Sequence, residues 1–268
     1  MVISGGSRGV GLAIALRAAQ DGANICLLAK TAEPHPRLDG TIFTAARAIE
    51  AAGGHALPIV GDVRRDDDVE HAVRTCVERF GGVDICVNNA SVINITGTLE
   101  LEMKGYDLMQ DVNVRGSFLL TKTCLPHLFE AENPHVLMLS PPINLGDRRW
   151  LRDHVANTVA KYSMSLWVLG MAEEFRDRGV AFNGLWPRTY LATVAVRNVL
   201  GGENALARSR RPEIIADAAR AIFLRPTRDC TGNLFIDDDV LRAEGVTDFA
   251  RYRPPGTREE DLLPDFFV

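Results

Sequence analysis

Short β-branched or apolar runs alternate with longer amphipathic stretches along most of this chain, and that alternation restricts its fold more than any other feature. Strands are expected at Met1–Ser4, Asn24–Ala29, Ala56–Val60, Asp84–Asn88, His135–Ser140, Val180–Trp186 and Asn233–Ile236. Helices are expected from Gly9 to Asp21, Ile42 to Ala52, Asp66 to Phe80, Asn113 to Glu130, Arg152 to Arg178 and Glu213 to Phe223. In the first of these, Val10, Ile14 and Ala18 recur at helical spacing. The second stops at Gly53 and Gly54. The run Thr31–Thr41, with Pro34, Pro36 and Gly40, reads as a loop. Such alternation requires right-handed crossovers and a parallel sheet covered on both faces.

Ser4-Gly5-Gly6-Ser7-Arg8-Gly9-Val10-Gly11 falls at the first strand–helix junction. Glycines at 5, 9 and 11 let the backbone turn tightly and approach a pyrophosphate, and the helix start then offers free N–H groups to its charge. Together with the alternation this predicts an α/β fold: a single doubly wound Rossmann-type domain over residues 1–268, with a parallel sheet of about seven strands. Residues 238–268, rich in Pro, Arg and Asp, read as an irregular tail packed on the surface. The first strand is shorter than the usual length of about 5–6 residues. The start is expected to be misassigned or truncated, or else the strand to be weakly anchored. An NAD site places an acid at the end of strand two, where this chain has Leu28-Ala29-Lys30. Lys30 and Arg8 are placed to converge on a 2′-phosphate, which favours NADP(H) over NAD; the bland alternative is that either cation is simply solvated.

Composition excludes other classes. With 46% hydrophobic and 24% charged residues the chain is globular, and a net charge of -5 is wrong for a general nucleic-acid binder. No apolar run approaches the roughly 20 residues of a membrane span. The start, MVISGGSRGVG, is not a secretory signal. Five scattered cysteines without a CxxC pair read as buried free thiols in a reducing, cytoplasmic setting. The six histidines form no metal-ligand cluster. A nucleotide-hydrolase reading fails for want of a GxxxxGK[ST] loop.

Over nearly its whole length the chain resembles the short-chain dehydrogenase/reductase family. GGSRGVG matches that family's first signature and implies cofactor contacts from Gly5, Ser7, Arg8, Gly9, Val10 and Gly11. Asp62-Val63 looks like its adenine-contacting pair, and Asn88-Asn89-Ala90-Ser91 like its NNAG motif, making Asn89 and Ala90 contacts on the adenosine side. Asn113 matches the helix asparagine that helps hold a proton-relay water. A closer resemblance, carried by LSPPINL, LGMAEEF, LWPRT, IIADAA and TGNLFID, is to hydroxysteroid dehydrogenase-like proteins, of which this chain matches the reductase domain. By that resemblance Lys30 contacts the cofactor, and Pro187 and Thr189 lie at the nicotinamide carboxamide. A homodimer or homotetramer through the helices 113–130 and 152–178 is implied too.

The family's chemistry uses Tyr-x-x-x-Lys, a spacing that puts both side chains on one helix face. Lys161 is present, but Asn157 stands where the tyrosine belongs. A carboxamide donates hydrogen bonds but exchanges no proton near neutrality. Tyr162 points about 100° away around the helix and is no substitute. Ser140, followed by Pro141 and Pro142, is the candidate hydrogen-bond donor to substrate. His154, seven residues before Lys161, is either a replacement proton donor or a surface histidine at a helix start. A water held by Asn113 and Lys161 is another candidate donor. Residues 190–211 fall where the family has a substrate lid. Their valines, with Arg197, Arg208, Arg210 and Arg211, suit either an apolar substrate with an anionic handle, such as an acyl thioester, or an amphipathic helix with a solvated basic face. Two functions follow: an NADP(H)-dependent oxidoreductase acting on an apolar carbonyl or alcohol, or an NADP(H)-binding protein that has lost turnover.

Overall fold

A computed structural model describes residues 1–35 and 38–268. Pro36, assigned above to the Thr31–Thr41 loop, lies outside the described residues. The first half runs β1 (Val2–Ser4), α1 (Gly9–Gln20), β2 (Asn24–Ala29), α2 (Ile42–Ala51), β3 (His55–Val60), α3 (Asp66–Phe80) and β4 (Ile85–Asn88). The second half runs α4 (Met103–Met109), α5 (Ser117–Leu128), β5 (His135–Met138), α6 (Arg149–Asp153), α7 (Val155–Glu174), β6 (Ala181–Trp186), α8 (Gly202–Ala207), α9 (Glu213–Phe223), β7 (Asn233–Ile236) and α10 (Asp237–Ala243).

Among the described residues the strands form one seven-stranded parallel sheet, order β3-β2-β1-β4-β5-β6-β7, as the alternation predicts. Alternate strand side chains enter opposite cores. Ile3, Leu27, Val87 and Leu185 pack with α1, α2, α9 and α10, whereas Val2, Leu28, Val136 and Phe182 pack with α3, α5 and α7. The chain changes direction between β1 and β4, which opens a crevice at the strands' carboxyl ends. No helix among the described residues is long and apolar enough to cross a membrane. The five cysteines are buried and free.

Four expectations need correction. β1 has only three residues but is not weakly anchored: it lies between β2 and β4, with Val2 and Ile3 fully buried. The helix expected at Asn113 begins at Met103 and passes through a widened π-helical turn, Gln110–Gly116, before α5. The helix expected over 152–178 breaks at His154, whose non-helical backbone (φ -143°, ψ 49°) separates α6 from α7. Residues 238–268 pack, but they are less irregular than expected, opening in a helix and carrying two short helical turns. Asp237, Asp238 and Asp239 occupy the first turn of α10, where a helix favours negative charge, and Phe249, Tyr252, Leu262 and Phe267 are buried. Polar composition hid widely spaced anchors.

Candidate functional site

The carboxyl ends of β1 to β6 surround a cleft of about 560 Å³, lined by Gly5, Ser7, Arg8, Gly9, Val10, Lys30, Asp62, Val63, Asn89, Ala90, Asn157, Lys161 and Pro187 among others. Its first half is built from backbone. Gly5 and Gly9 have left-handed φ angles of 69° and 57°, open to glycine without strain. Asn89 Nδ2 donates to the carbonyls of Ser4 and Gly5, both at 2.9 Å, while Ser4 Oγ accepts from Asn89 N (3.2 Å) and Ala90 N (3.1 Å). The loop after β4 thus holds the glycine turn in shape. Gly11 sits behind the turn, outside the cleft lining: a Cβ there would press on the Asn89 amide and lie 2.8 Å from Gly5 O. Among the described residues no side chain caps α1, so the N–H groups of its first turn remain available to an anion.

Charge lies at the edge of this half. Lys30 is exposed directly after β2. Arg8 donates from Nε to Asp39 O (2.9 Å) and from Nη2 to Gly40 O (2.7 Å), which fixes its guanidinium at the cleft. Asp62 is gripped by Arg64, with Nη2 to Oδ2 at 2.6 Å; that hydrogen bond holds its carboxyl below the usual carboxylate range. Val63 packs against Gly116.

The second half is built from side chains. Lys161 is 4% exposed. Its Nζ donates to Leu139 O at 3.1 Å and lies 5.1 Å from the centre of the Trp186 ring. Burial pushes its pKa down to about 8, against the pull of Asp265. Asn157, one helical turn away on α7, is 3% exposed, and its Oδ1 has no hydrogen-bond partner among the described residues. The C-terminal Asp265, Phe266 and Phe267 complete this half. Burial, and then the neighbouring Asp237 charge, push the Asp265 carboxyl up to about 8, against the Phe266 N–H and Lys161.

Other expected site residues lie elsewhere. Asn113 is fully buried and does not line the cleft; its amide accepts from Val92 N (2.8 Å) and donates to Val92 O (2.9 Å), bracing the loop after β4. Ser140 Oγ, unpartnered among the described residues, faces the backbone of Gly184 on β6, so the structure does not bring it to the cleft. Thr189 pairs with Pro264 of the tail and is not a lining residue either. Tyr162 bonds Asn144 O at 3.1 Å, away from Lys161's partners. His154 bonds Ile95 O through Nδ1 at 2.7 Å and stacks on Phe266 at 5.6 Å, outside the lining set. The Asp-Phe-Phe end is the site element that sequence reasoning missed; its one signal is an aromatic pair inside a polar stretch.

The stretch 190–211 does border the cleft, through Thr193, Val194, Val196 and Val199, with Thr193 Cγ2 at 3.6 Å from where a Gly9 Cβ would stand. Three of its four arginines are occupied, and Arg211 is exposed. Arg210 is fully buried between Asp238 (3.3 Å) and Glu259, Arg208 Nε donates to Asp261 O (2.7 Å), and Arg197 pairs with Asp39 at 3.8 Å. Arg210 therefore fits neither a solvated basic face nor a reader of an anionic substrate.

A family profile described as short chain dehydrogenase matches residues 1–201. The chain is 55% identical to the hydroxysteroid dehydrogenase-like protein 2 of Danio rerio over 267 residues, which are 99% of this chain and 63% of that protein. The human protein of the same name is 50% identical, with 99% of this chain and 62% of its own length covered. The chain thus spans under two thirds of these relatives. The crystal structure of a short chain dehydrogenase from Mycobacterium thermoresistibile superposes with a TM-score of 0.93 at 54% identity, covering 100% of this chain and 94% of that one.

Proposed function

The chain belongs to the short-chain dehydrogenase family, and from that premise we propose that it is an NADP(H)-dependent oxidoreductase acting on a carbonyl or alcohol of an apolar, lipid- or acyl-like substrate. The observation that carries this reading is the convergence, in one cleft, of an uncapped helix start, two cations (Arg8 before α1 and Lys30 after β2) and a buried lysine. A dinucleotide fits these groups. The α1 N–H groups and the glycine turn hold its pyrophosphate, Lys30 and Arg8 its 2′-phosphate, Asp62 and Val63 its adenine, and Lys161 and Pro187 the nicotinamide end. The bound cofactor supplies hydride chemistry. Lys161 contributes a positive charge held in a low-dielectric pocket, where it acts strongly on nearby oxygens. Trp186, Phe266 and Phe267 offer the apolar wall that excludes water, under a lid formed by 190–211.

Asn157 supports a second reading, an NADP(H) binder without turnover, because its carboxamide can orient a carbonyl oxygen but not protonate it. NADPH oxidation over a panel of aldehydes, ketones and enoyl or ketoacyl thioesters, run beside the Asn157→Tyr variant, tests both. Turnover by the unmodified protein is expected; turnover by the variant alone would make the protein a cofactor binder. We also propose a homo-oligomer in a reducing compartment, supported by exposed Phe118, Leu166 and Leu169 on α5 and α7 and by the buried thiols. Light scattering checks the assembly.

A further inference from the structure

We propose that Asp265, delivered by the C-terminal tail, is the proton donor that replaces the missing tyrosine of this cleft. The inference rests on the oxidoreductase reading above and names the residue that completes it.

Among the described residues that line the cleft, the side chains able to exchange a proton are Lys30, Asp62, Lys161 and Asp265. Lys30 and Asp62 follow β2 and β3 on the adenosine side, and Asp62 is bound by Arg64. Lys161 is committed to Leu139 O and the Trp186 ring. Asp265 differs. Its Oδ1 accepts from Phe266 N at 2.6 Å, which orients the carboxyl, while Oδ2 carries no protein hydrogen bond among the described residues.

The tail holds Asp265 in place from several sides. Tyr190 N donates to Leu263 O (2.9 Å), Asp265 N to Arg188 O (3.0 Å) and Trp186 Nε1 to Phe266 O (2.7 Å). Phe266 stacks on Trp150 at 4.4 Å between ring centres. Phe267 is buried at a left-handed φ of 72°, a conformation that a bulky residue adopts only where its surroundings impose it. A surface tail would carry none of these constraints.

The groups around Asp265 favour its protonated form. Asp237 faces it from the start of α10, and Lys161 from α7 opposes with a single charge; Tyr190, from the lid, keeps its own proton, its phenol raised by burial and by Asp265. With the carboxyl pushed up to about 8, it is mostly neutral at pH 7 and able to donate. In the reducing direction a bound reduced nicotinamide would supply a hydride, with its electron pair, to the carbonyl carbon and would thereby be oxidised. The displaced π pair moves to oxygen, which takes the Asp265 proton, and the alcohol forms. The remaining carboxylate recovers a proton from solvent as product leaves. Asn157 keeps the orienting half of the tyrosine's work and Asp265 supplies the proton.

Asp265→Asn tests this on the full chain. Turnover should fall by about 10²–10⁴, the usual value of general acid assistance. The NADPH dissociation constant, read by nucleotide fluorescence, should change less than about twofold, and Asp265→Glu should recover part of the rate. A carbon NMR titration of the aspartates in the NADPH complex should show two carboxyls, Asp265 and Asp237, titrating above the others, the higher of them lost in Asp265→Asn. Unchanged turnover in Asp265→Asn, or a loss that tracks weakened NADPH binding, overturns the proposal. So does a set of aspartates that all titrate in the ordinary range. If no substrate turns over while the high titration lost in Asp265→Asn is present, the oxidoreductase reading fails and the placement of Asp265 stands.

Discussion

The two halves of the cleft hold their ligand groups by different means. On the side of the glycine turn the working groups are backbone, the turn itself and the uncapped start of α1, and the side-chain amide of Asn89 ties them to the loop after β4. Neighbouring segments set that geometry, and it tolerates little change. On the opposite side the working groups are side chains drawn from α7, β6 and the last residues of the chain. Here Asn157 stands at the position where the family resemblance implies a tyrosine, and Lys161, Trp186 and the tail are packed around it. A frame made of main chain must keep its small residues to work at all. A site made of converging side chains can exchange one group and draw another from a distant segment.

The largest way to break this contrast is Gly11→Val. Its Cβ would press on the Asn89 amide and on Gly5 O, so the turn must open. NADPH binding should weaken by about 100-fold or more, roughly 2.7 kcal/mol, as read by titration calorimetry. Lys30→Ala comes next, expected to raise the NADPH dissociation constant about tenfold, the value of one charged hydrogen bond, with NADH binding little changed. Equal losses for both nucleotides would show that Lys30 does not read the 2′-phosphate.

The other half responds to pH. Asp265 titrates at about 8 when folded against about 3.9 unfolded, so the folded state binds the extra proton between those values. Its contribution to stability is complete below pH 4 and lost as pH rises towards 8. Asp237, pushed up to about 7 by burial, acts in the same sense over a lower window. Lys161 runs the other way: folded at about 8, below its ordinary 10.5, it makes stability rise with pH above 8. Urea midpoints of Asp265→Asn should therefore gain on the parent between pH 6 and 8. A constant offset would contradict the shifted carboxyl. The smallest effect belongs to His154→Ala, which removes a stacked ring and should cost about 0.5–1.5 kcal/mol in stability while turnover stays within about twofold. A large rate loss would restore His154 as a proton donor.

Much of the frame was legible in the residues. The strand and helix periods placed the sheet, and Gly5, Gly9, Lys30 and Asn89 all line the cleft. Ser140, Thr189 and Asn113 were assigned to the site by motif, yet their side chains meet a neighbouring strand, the Tyr190 carbonyl and a loop carbonyl. Motif position fixes where a residue sits in the chain, not which way it turns. Asp265 was passed over for the opposite reason: nothing in a short Pro-Asp-Phe-Phe run states what it packs against.

The amino-acid order by itself determined the doubly wound sheet, the glycine turn and the absence of tyrosine at 157, because periodicity, turn chemistry and residue identity are local. Only the tertiary structure decided that His154 leaves the site, that Arg210 is buried in ion pairs, and that the chain's last residues reach Lys161. These depend on contacts between segments far apart in the chain, where burial and mutual electrostatics select partners that no local pattern encodes.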